Sequence, residues 1–271
     1  MHEKISVNSV CLSGGSSSWP EVVSYWRALH PRRVSFIGPQ MEDATAVRDL
    51  IKSDSYTLET IFHPFLIGKQ LESKESTWLD ERAKLTRAIK FASSVGARSV
   101  YIPTGGHGTL TWEEAAQAFS AAIAPCVAEA KSAGLILMIE NTGQLYANIH
   151  IAHSLRDALT LAEMAGVGIC IDLFACWSEA GLHETIRRAI PRCDLIQVAD
   201  YVYGDRSLPC RAVPGDGAIP LKRVFDWALS AGFKGAFDLE LLGPRIEKEG
   251  YVAATRRAAD NVGELLHSLG A

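Results

Sequence analysis

Four polar side chains that could bind a cation stand at or near the ends of short apolar segments. They are Glu140 in LILMIE, Asp172 in VGICID, Gln197 in DLIQVAD and Glu240 in GAFDLE. Each segment is typical of a buried parallel strand. If such strands close into one barrel, their C-terminal ends meet at one opening, and three carboxylates and an amide share a small volume. Carboxylates held so close repel one another unless a cation lies between them, and these oxygen ligands favour Mn²⁺ or Mg²⁺.

Two of these carboxylates also suit proton transfer. Moving a proton at a carbon beside a carbonyl needs a base on one face and an acid nearby. Glu140 and Glu240 end the fifth and eighth predicted strands, so they would flank a small substrate from different sides of the barrel. A divalent ion on the carbonyl and hydroxyl oxygens would stabilise the enediolate between the two transfers. We therefore predict Glu140 and Glu240 as the catalytic pair.

Each of these residues also has a structural interpretation. Glu140 would then be a salt-bridged glutamate, Asp172 the N-cap of the next helix, and Gln197 a core amide bonded to the backbone. Asp238 shares a strand face with Glu240, so it is a rival ligand or a supporting partner. The predicted metal site therefore depends on the four residues as a group.

Four further residues are predicted substrate contacts because they follow predicted strands. His63 follows the third strand, and His107 lies in a Gly-rich loop after the fourth, where glycine lets a ligand approach the backbone. Arg211 follows the seventh strand and could fork onto a hydroxyl or carboxylate. Trp177 would wall the pocket. The structural alternatives are two histidines with packing or loop roles, a solvated arginine and a core tryptophan.

Eight strand-like segments mostly alternate with helical patterns. Strands are predicted over 5–11, 34–37, 57–62, 99–102, 136–140, 168–172, 195–198 and 236–241. Helices are predicted over 19–29, 71–95, 112–133, 154–165, 221–231 and 247–269, with Pro125 expected to kink or break the third. Eight such units in roughly 250 residues indicate one parallel (β/α)₈ TIM barrel. A doubly wound open sheet is the rival, but the Gly- and Ser-rich segment 13–18 lacks its G-x-G-x-x-G spacing.

The composition is that of a globular protein with a large core. Of 271 residues 48% are hydrophobic, and the net charge is −4, which argues against a nucleic-acid partner. No apolar run approaches the roughly 20 residues of a membrane helix, so no membrane partner is expected. The start lacks the zones of a secretory signal, so we expect cytoplasmic localisation. The six cysteines contain no C-x-x-C pair, which disfavours a zinc knuckle.

We expect one domain over residues 1–271 that acts on a small-molecule substrate. The apolar-rich segments 115–124 and 253–269 would serve either a homo-oligomer or the outer packing of the barrel.

The segments that follow the sixth strand form a fairly specific pattern. They are Gln197-Val198-Ala199-Asp200, then Arg211-x-x-Pro214-Gly215-x-Gly217, then Gly232-Phe233-x-Gly235 and Glu240. Nearly the whole chain resembles the sugar phosphate isomerase/epimerase-like superfamily of xylose-isomerase-like TIM barrels. Glutamine at the third ligand position is similar to the hydroxypyruvate isomerase-like branch, and is also seen in dehydroshikimate-dehydratase-like members.

The resemblance implies a divalent metal held by Glu140, Asp172, Gln197 and Glu240, with the two glutamates as the acid/base pair. Two departures concern substrate choice. Relatives often have histidine three residues after the aspartate ligand, where this chain has Ala175. Residues 201–210 look like an insertion before the loop that carries Arg211.

Four functions compete. The leading hypothesis is a metal-dependent isomerase or epimerase of a small hydroxy-carbonyl, sugar-like compound. The alternative is a metal-dependent lyase or dehydratase, in which the same proton abstraction leads to loss of a hydroxyl. A DNA-repair endonuclease of this fold would need more histidine ligands than the 8 scattered histidines offer. A non-catalytic barrel is the fourth, disfavoured by the complete carboxylate set.

Overall fold

Eight parallel strands close into one barrel in the computed structural model, which describes residues 1–37, 43–72 and 78–271. The strands are β1 Ile5–Asn8, β2 Arg33–Ile37, β3 Thr57–Phe62, β4 Ser99–Ile102, β5 Ile136–Glu140, β6 Gly168–Asp172, β7 Cys193–Val198 and β8 Ala236–Leu239. Each strand pairs with the next, and β8 pairs with β1. The predicted (β/α)₈ TIM barrel is confirmed. Strands β1 and β8 end earlier than predicted, so Glu240 lies just beyond its strand.

Helices connect the strands. They are α1 Trp19–Leu29, α2 Ala44–Ser53, α3 Leu79–Ser94, α4 Trp112–Ser132, α5 Leu155–Ala165, α6 Leu173–Cys176, α7 Leu182–Ala189, α8 Leu221–Ser230, α9 Pro244–Glu249 and α10 Tyr251–Ser268. The sequence did not predict α2, α6 and α7. No helix in the described ranges is long and apolar enough to cross a membrane.

Helix α4 continues through Pro125, contrary to the expected break. Proline has no backbone N–H, so it leaves the carbonyl of Ala121, four residues earlier, without its helical donor. The side chain of Arg82 on α3 supplies a replacement. Its Nη2 donates to Ala121 O at 3.2 Å, and its Nε donates to Ala122 O. The neighbouring helix therefore compensates for the proline.

Two other predicted helices have different bounds. Leu71 is not helical: its N–H donates to Gly106 O at 2.7 Å, and the helix begins at Leu79. Residues 73–77 of that prediction lie outside the described residues. The predicted final helix is divided into α9 and α10 by Gly250, whose φ of +91° and ψ of 130° are not helical.

The barrel interior is layered. Tyr101, Met138, Cys170, Leu195 and Ala236, one from each of β4 to β8, form an apolar cluster. Because side chains alternate along a strand, the residues two positions further on face the same interior, nearer the C-terminal ends. On β5, β6 and β7 those residues are Glu140, Asp172 and Gln197. An apolar floor thus lies beneath a polar layer.

Candidate active site

A cavity of about 330 Å³ opens at the C-terminal end of the barrel. Its charged wall consists of Glu140, Asp172, Arg211 and Glu240. Glu140 ends β5, Asp172 ends β6, and Glu240 follows β8, so three carboxylates predicted from strand ends do converge. The C-terminal face is where TIM barrels carry their active sites.

Arg211 holds the carboxylates together. Its Nη1 donates to Asp172 Oδ1 at 3.1 Å and its Nη2 to Asp172 Oδ2 at 2.7 Å, which is a bidentate pair. The same Nη2 lies 2.9 Å from Glu240 Oε2, in an ion pair that lacks hydrogen-bond geometry. Phe174 covers the guanidinium, with its ring centre 4.8 Å from Cζ.

The two glutamates favour their protonated forms. Burial raises the pKa of Glu140 well above its ordinary value, and the charges of Glu240 and Asp172 raise it further. Burial raises the pKa of Glu240 to about 7, with Arg211 acting in the opposite direction. Carboxyl groups whose pKa values are raised by their surroundings are candidates for acid/base work.

Gln197 lies beside Asp172 in the β6–β7 register and is fully buried. Its Nε2 donates to the Tyr101 hydroxyl at 3.4 Å, and its Oε1 has no hydrogen-bond partner among the described residues. A buried amide oxygen without a partner is costly, so this atom is available to a ligand.

Asp238 is not available in the same way. Its Oδ2 accepts from Asn8 Nδ2 at 2.9 Å and its Oδ1 accepts from the Ser35 hydroxyl. Burial raises its pKa to about 6, while these donors oppose that rise. Asp238 is therefore engaged with β1 and β2, whereas Glu240 lines the cavity.

Asn141 fixes the backbone of Asp172. Its Nδ2 donates to Asp172 O at 2.9 Å, and its Oδ1 accepts from Asp172 N at 3.0 Å. Asp172 Oδ1 also accepts from Phe174 N at 3.0 Å, so Asp172 caps the short helix α6 as well as pairing with Arg211. The N-cap interpretation and the site interpretation of Asp172 are compatible.

The loop that carries Arg211 is organised by Asp200. The Oδ2 atom of Asp200 accepts from the N–H groups of Gly215 and Gly217 at 2.8 and 3.0 Å, and Oδ1 accepts from Tyr201 and Ile219 at 2.8 and 3.0 Å. A Cβ on Gly217 would collide with Asp200 Oδ1 and Tyr201 O. The Pro-Gly-x-Gly pattern therefore has a structural reason: it lets the backbone wrap one carboxylate.

Three other predicted contacts lie outside the cavity lining. His63 is buried one position past β3, and the nearest charges that act on it, Glu81 and Lys84, belong to α3. His107 is exposed. Trp177 packs with Tyr201, their ring centres 6.2 Å apart. Only Arg211 among the four predicted substrate contacts reaches the charged wall.

Two site residues were missed by sequence reasoning. Fully buried His150 has its Nε2 3.8 Å from Glu140 Oε1, and Tyr146 lines the cavity, where Arg211 and Glu240 influence its pKa. Burial raises the Tyr146 pKa and lowers that of His150 to about 3. Both follow β5 in an irregular segment, and the available signal was their position in the loop after a predicted site strand.

The oxygen donors of Glu140, Asp172, Gln197 and Glu240 suit a hard divalent cation. Arg211 lies between Asp172 and Glu240, and across the described ranges no three His, Cys, Asp or Glu side chains are close enough together to hold a metal ion. The unpartnered Gln197 Oε1 and the raised pKa of both glutamates are features that a cation would relieve. The donor set therefore fits such an ion once Arg211 gives up its carboxylate contacts.

Solved structures share this fold. The protein SMc04130 from Sinorhizobium meliloti 1021 is 20% identical, with 98% of each chain covered and a TM-score of 0.83. The IOLI protein, solved with a binding zinc atom, is 14% identical, with 98% of this chain and 99% of that chain covered and a TM-score of 0.83. An L-ribulose 3-epimerase is 17% identical, with 100% and 96% covered and a TM-score of 0.80.

No curated protein matches the chain significantly. The sequence model of one family, described as Xylose isomerase-like TIM barrel, matches residues 27–262. That range contains Glu140, Asp172, Gln197, Arg211 and Glu240 and seven of the eight strands. The chain belongs to the xylose isomerase-like TIM barrel family.

Proposed function

We propose that this chain is a divalent-metal-dependent isomerase or epimerase of a small hydroxy-carbonyl compound. The observation that carries the proposal is a pair of glutamates in one cavity, partly buried Glu140 and buried Glu240, whose pKa values are both raised. The fold shared with the L-ribulose 3-epimerase and the zinc-bearing IOLI protein supports it. Gln197 supports a place near the hydroxypyruvate isomerase-like branch.

The site residues have separate roles in the proposed reaction. Glu140, Asp172, Gln197 and Glu240 would hold the cation, which would polarise the substrate carbonyl when bound. One of the two glutamates removes the proton from the carbon beside that carbonyl, and the other returns a proton at the neighbouring position or on the other face. Arg211 provides donors for a substrate oxygen, and Asn141 keeps Asp172 in position.

Metal content and hydrogen exchange test this proposal together. The parent, Glu140→Gln and Glu240→Gln would be loaded with Mn²⁺ and incubated with hydroxyketones in deuterated water. Glu129→Gln is the matched control, because Glu129 lies on the outer helix α4. We expect near-stoichiometric metal and deuterium on the substrate carbon in the parent and the control, and loss of exchange in both site variants.

The product distinguishes the competing reactions. An isomer or epimer supports the proposal, whereas an unsaturated, ultraviolet-absorbing product would assign the chain to the lyases. A parent that neither binds Mn²⁺ nor exchanges hydrogen with any ketone would overturn the proposal.

A further inference from the structure

The cavity has two chemically different walls. Beside the charged group of Glu140, Asp172, Arg211 and Glu240, large apolar side chains line the cavity from the segments that follow β5 and β7. We infer that the substrate carries an alkyl or aryl group beside its hydroxy-carbonyl unit, and does not bear a hydroxyl on every carbon. This inference rests on the proposed function and names the substrate class of the same site.

The first part of the apolar wall follows β5. Leu145, Tyr146 and Ile149 line the cavity there, and Leu145 is 76% exposed. The second part is the insertion before Arg211, where Leu208 and Pro209 line the cavity and Leu208 is 59% exposed. Two large apolar side chains left open at one cavity mouth are a surface that a ligand would cover favourably.

The insertion is held in place rather than left free. Arg245 Nε donates to Asp205 Oδ2 at 2.7 Å, and Asp205 Oδ1 accepts from Ser207 N at 3.0 Å. The Tyr201 hydroxyl donates to Asp205 O at 3.1 Å. These contacts fix the segment that carries Leu208, so the apolar wall is a built part of the cavity.

A polyhydroxylated chain is poorly matched to this wall. A hydroxyl buried against Leu145, Ile149 and Leu208 would find no side-chain donor or acceptor on these residues, at a cost of roughly 1–3 kcal/mol per group. Ala175 adds to the apolar character, because its methyl group lines the cavity. Polar recognition falls to the charged wall and to the hydroxyls of Thr142, Tyr146 and Ser207, which are fewer than a fully hydroxylated chain would need along the apolar wall.

The size of the cavity agrees with a compact apolar substituent. Its volume of about 330 Å³ is at the small end for ligand sites. It is still about twice an engineered cavity of roughly 150 Å³ that binds benzene. A hydroxy-carbonyl head and one ring therefore fit.

Three ketones with the same hydroxymethyl ketone head test the inference. They are hydroxyacetone, erythrulose, whose tail bears hydroxyls, and benzyl hydroxymethyl ketone, whose tail is a ring. Affinity for the Mn²⁺-loaded protein would be measured by calorimetry, and deuterium exchange at the shared carbon by NMR. We expect the benzyl ketone to bind at least tenfold more tightly than the other two.

Exposed positions allow variants that fold. Leu145→Ser and Leu208→Ser should each reduce several-fold the ratio by which the benzyl ketone binds more tightly than hydroxyacetone. Leu79→Ser is the matched control, since Leu79 is 57% exposed at the start of the outer helix α3. The Leu79→Ser control should bind the benzyl ketone more tightly than the other two ketones by the same factor as the parent.

Different results contradict the inferred substrate class and the proposed function. Erythrulose binding as tightly as the benzyl ketone, or an advantage that survives both leucine variants, overturns the inference, while deuterium exchange on hydroxyacetone would still support the proposed function. Absence of exchange with all three ketones removes the proposed function, whatever their relative affinities.

Discussion

Arg211 donates two hydrogen bonds to the carboxylate of Asp172, of 3.1 and 2.7 Å, and the same guanidinium lies 2.9 Å from Glu240. Arginine thereby neutralises the carboxylates that would hold a divalent cation. Arg211 and the cation would compete for the same oxygen atoms. We therefore expect the Arg211 guanidinium to stabilise the metal-free protein and to weaken metal binding.

We therefore predict opposite effects of Arg211→Met on stability and on metal affinity. The metal-free variant should be destabilised by about 3–5 kcal/mol, because two buried carboxylates lose their partner. Its affinity for Mn²⁺ should rise at least tenfold, since no side chain has to be displaced. Urea unfolding of the metal-free protein and calorimetry with Mn²⁺ measure the two quantities.

Arg257→Met is the matched control for that prediction. Arg257 pairs with Asp216 and Glu249 at the surface, where an ion pair contributes only about 0–1 kcal/mol. This variant should retain the Mn²⁺ affinity of the parent. Equal or weaker Mn²⁺ binding by Arg211→Met would contradict competition for the carboxylates.

Asp200→Asn should destabilise the protein by about 2–4 kcal/mol, because the carboxylate of Asp200 accepts from four backbone N–H groups. An asparagine amide turns its NH₂ towards one pair of those donors. Loosening the loop also weakens the hold of Arg211 on the carboxylates, so Mn²⁺ affinity should rise as stability falls. Asp216→Asn, an exposed change in the same loop, should cost under about 1 kcal/mol in urea unfolding.

Gly217→Ala tests the close packing of the backbone in the same loop. The added Cβ would collide with Asp200 Oδ1 and the carbonyl oxygen of Tyr201, so we expect a loss of stability of at least about 2 kcal/mol. Gly143→Ala is a suitable control, because a Cβ there meets nothing within 4 Å. Comparable unfolding midpoints for the two variants would show that the loop yields easily.

Strand ends were the part of the site that the sequence predicted best. Glu140 and Asp172 end apolar segments of only five residues, and in a parallel barrel such ends share one face. Metal coordination by these residues stays a prediction. Arg211, which contacts both Asp172 and Glu240, lies on a loop, and its direction depends on the backbone wrapping Asp200, which local sequence patterns do not encode.

His63 illustrates where side-chain direction decided the outcome. Phe62 packs against Tyr101 inside the barrel, so the next residue faces the opposite way. The alternation of side chains along β3 therefore predicts that His63 faces away from the barrel interior. The position of His63 after a strand does not by itself predict this direction. The helices α2 and α7 are amphipathic but short, with ten and eight residues, and sequence reasoning did not single them out.

His63→Leu tests this placement through pH. Burial lowers the pKa of His63 to about 4, and neither ring nitrogen has a hydrogen-bond partner among the described residues. The unfolded chain takes up a proton near pH 6.5, whereas the folded chain does so only near pH 4, so His63 destabilises the fold as the pH falls between these values. Leucine at position 63 takes up no proton in either state, so it removes this loss of stability.

Between pH 7 and about pH 4.5, the His63→Leu protein should therefore lose about 2–3 kcal/mol less unfolding free energy than the parent. His183→Leu, at an exposed position, should follow the parent, and turnover of His63→Leu should be unchanged because His63 does not line the cavity. Urea unfolding at the two pH values supplies the comparison. A parent-like pH dependence would mean that water reaches the His63 ring, and lost turnover with intact stability would restore His63 as a substrate contact.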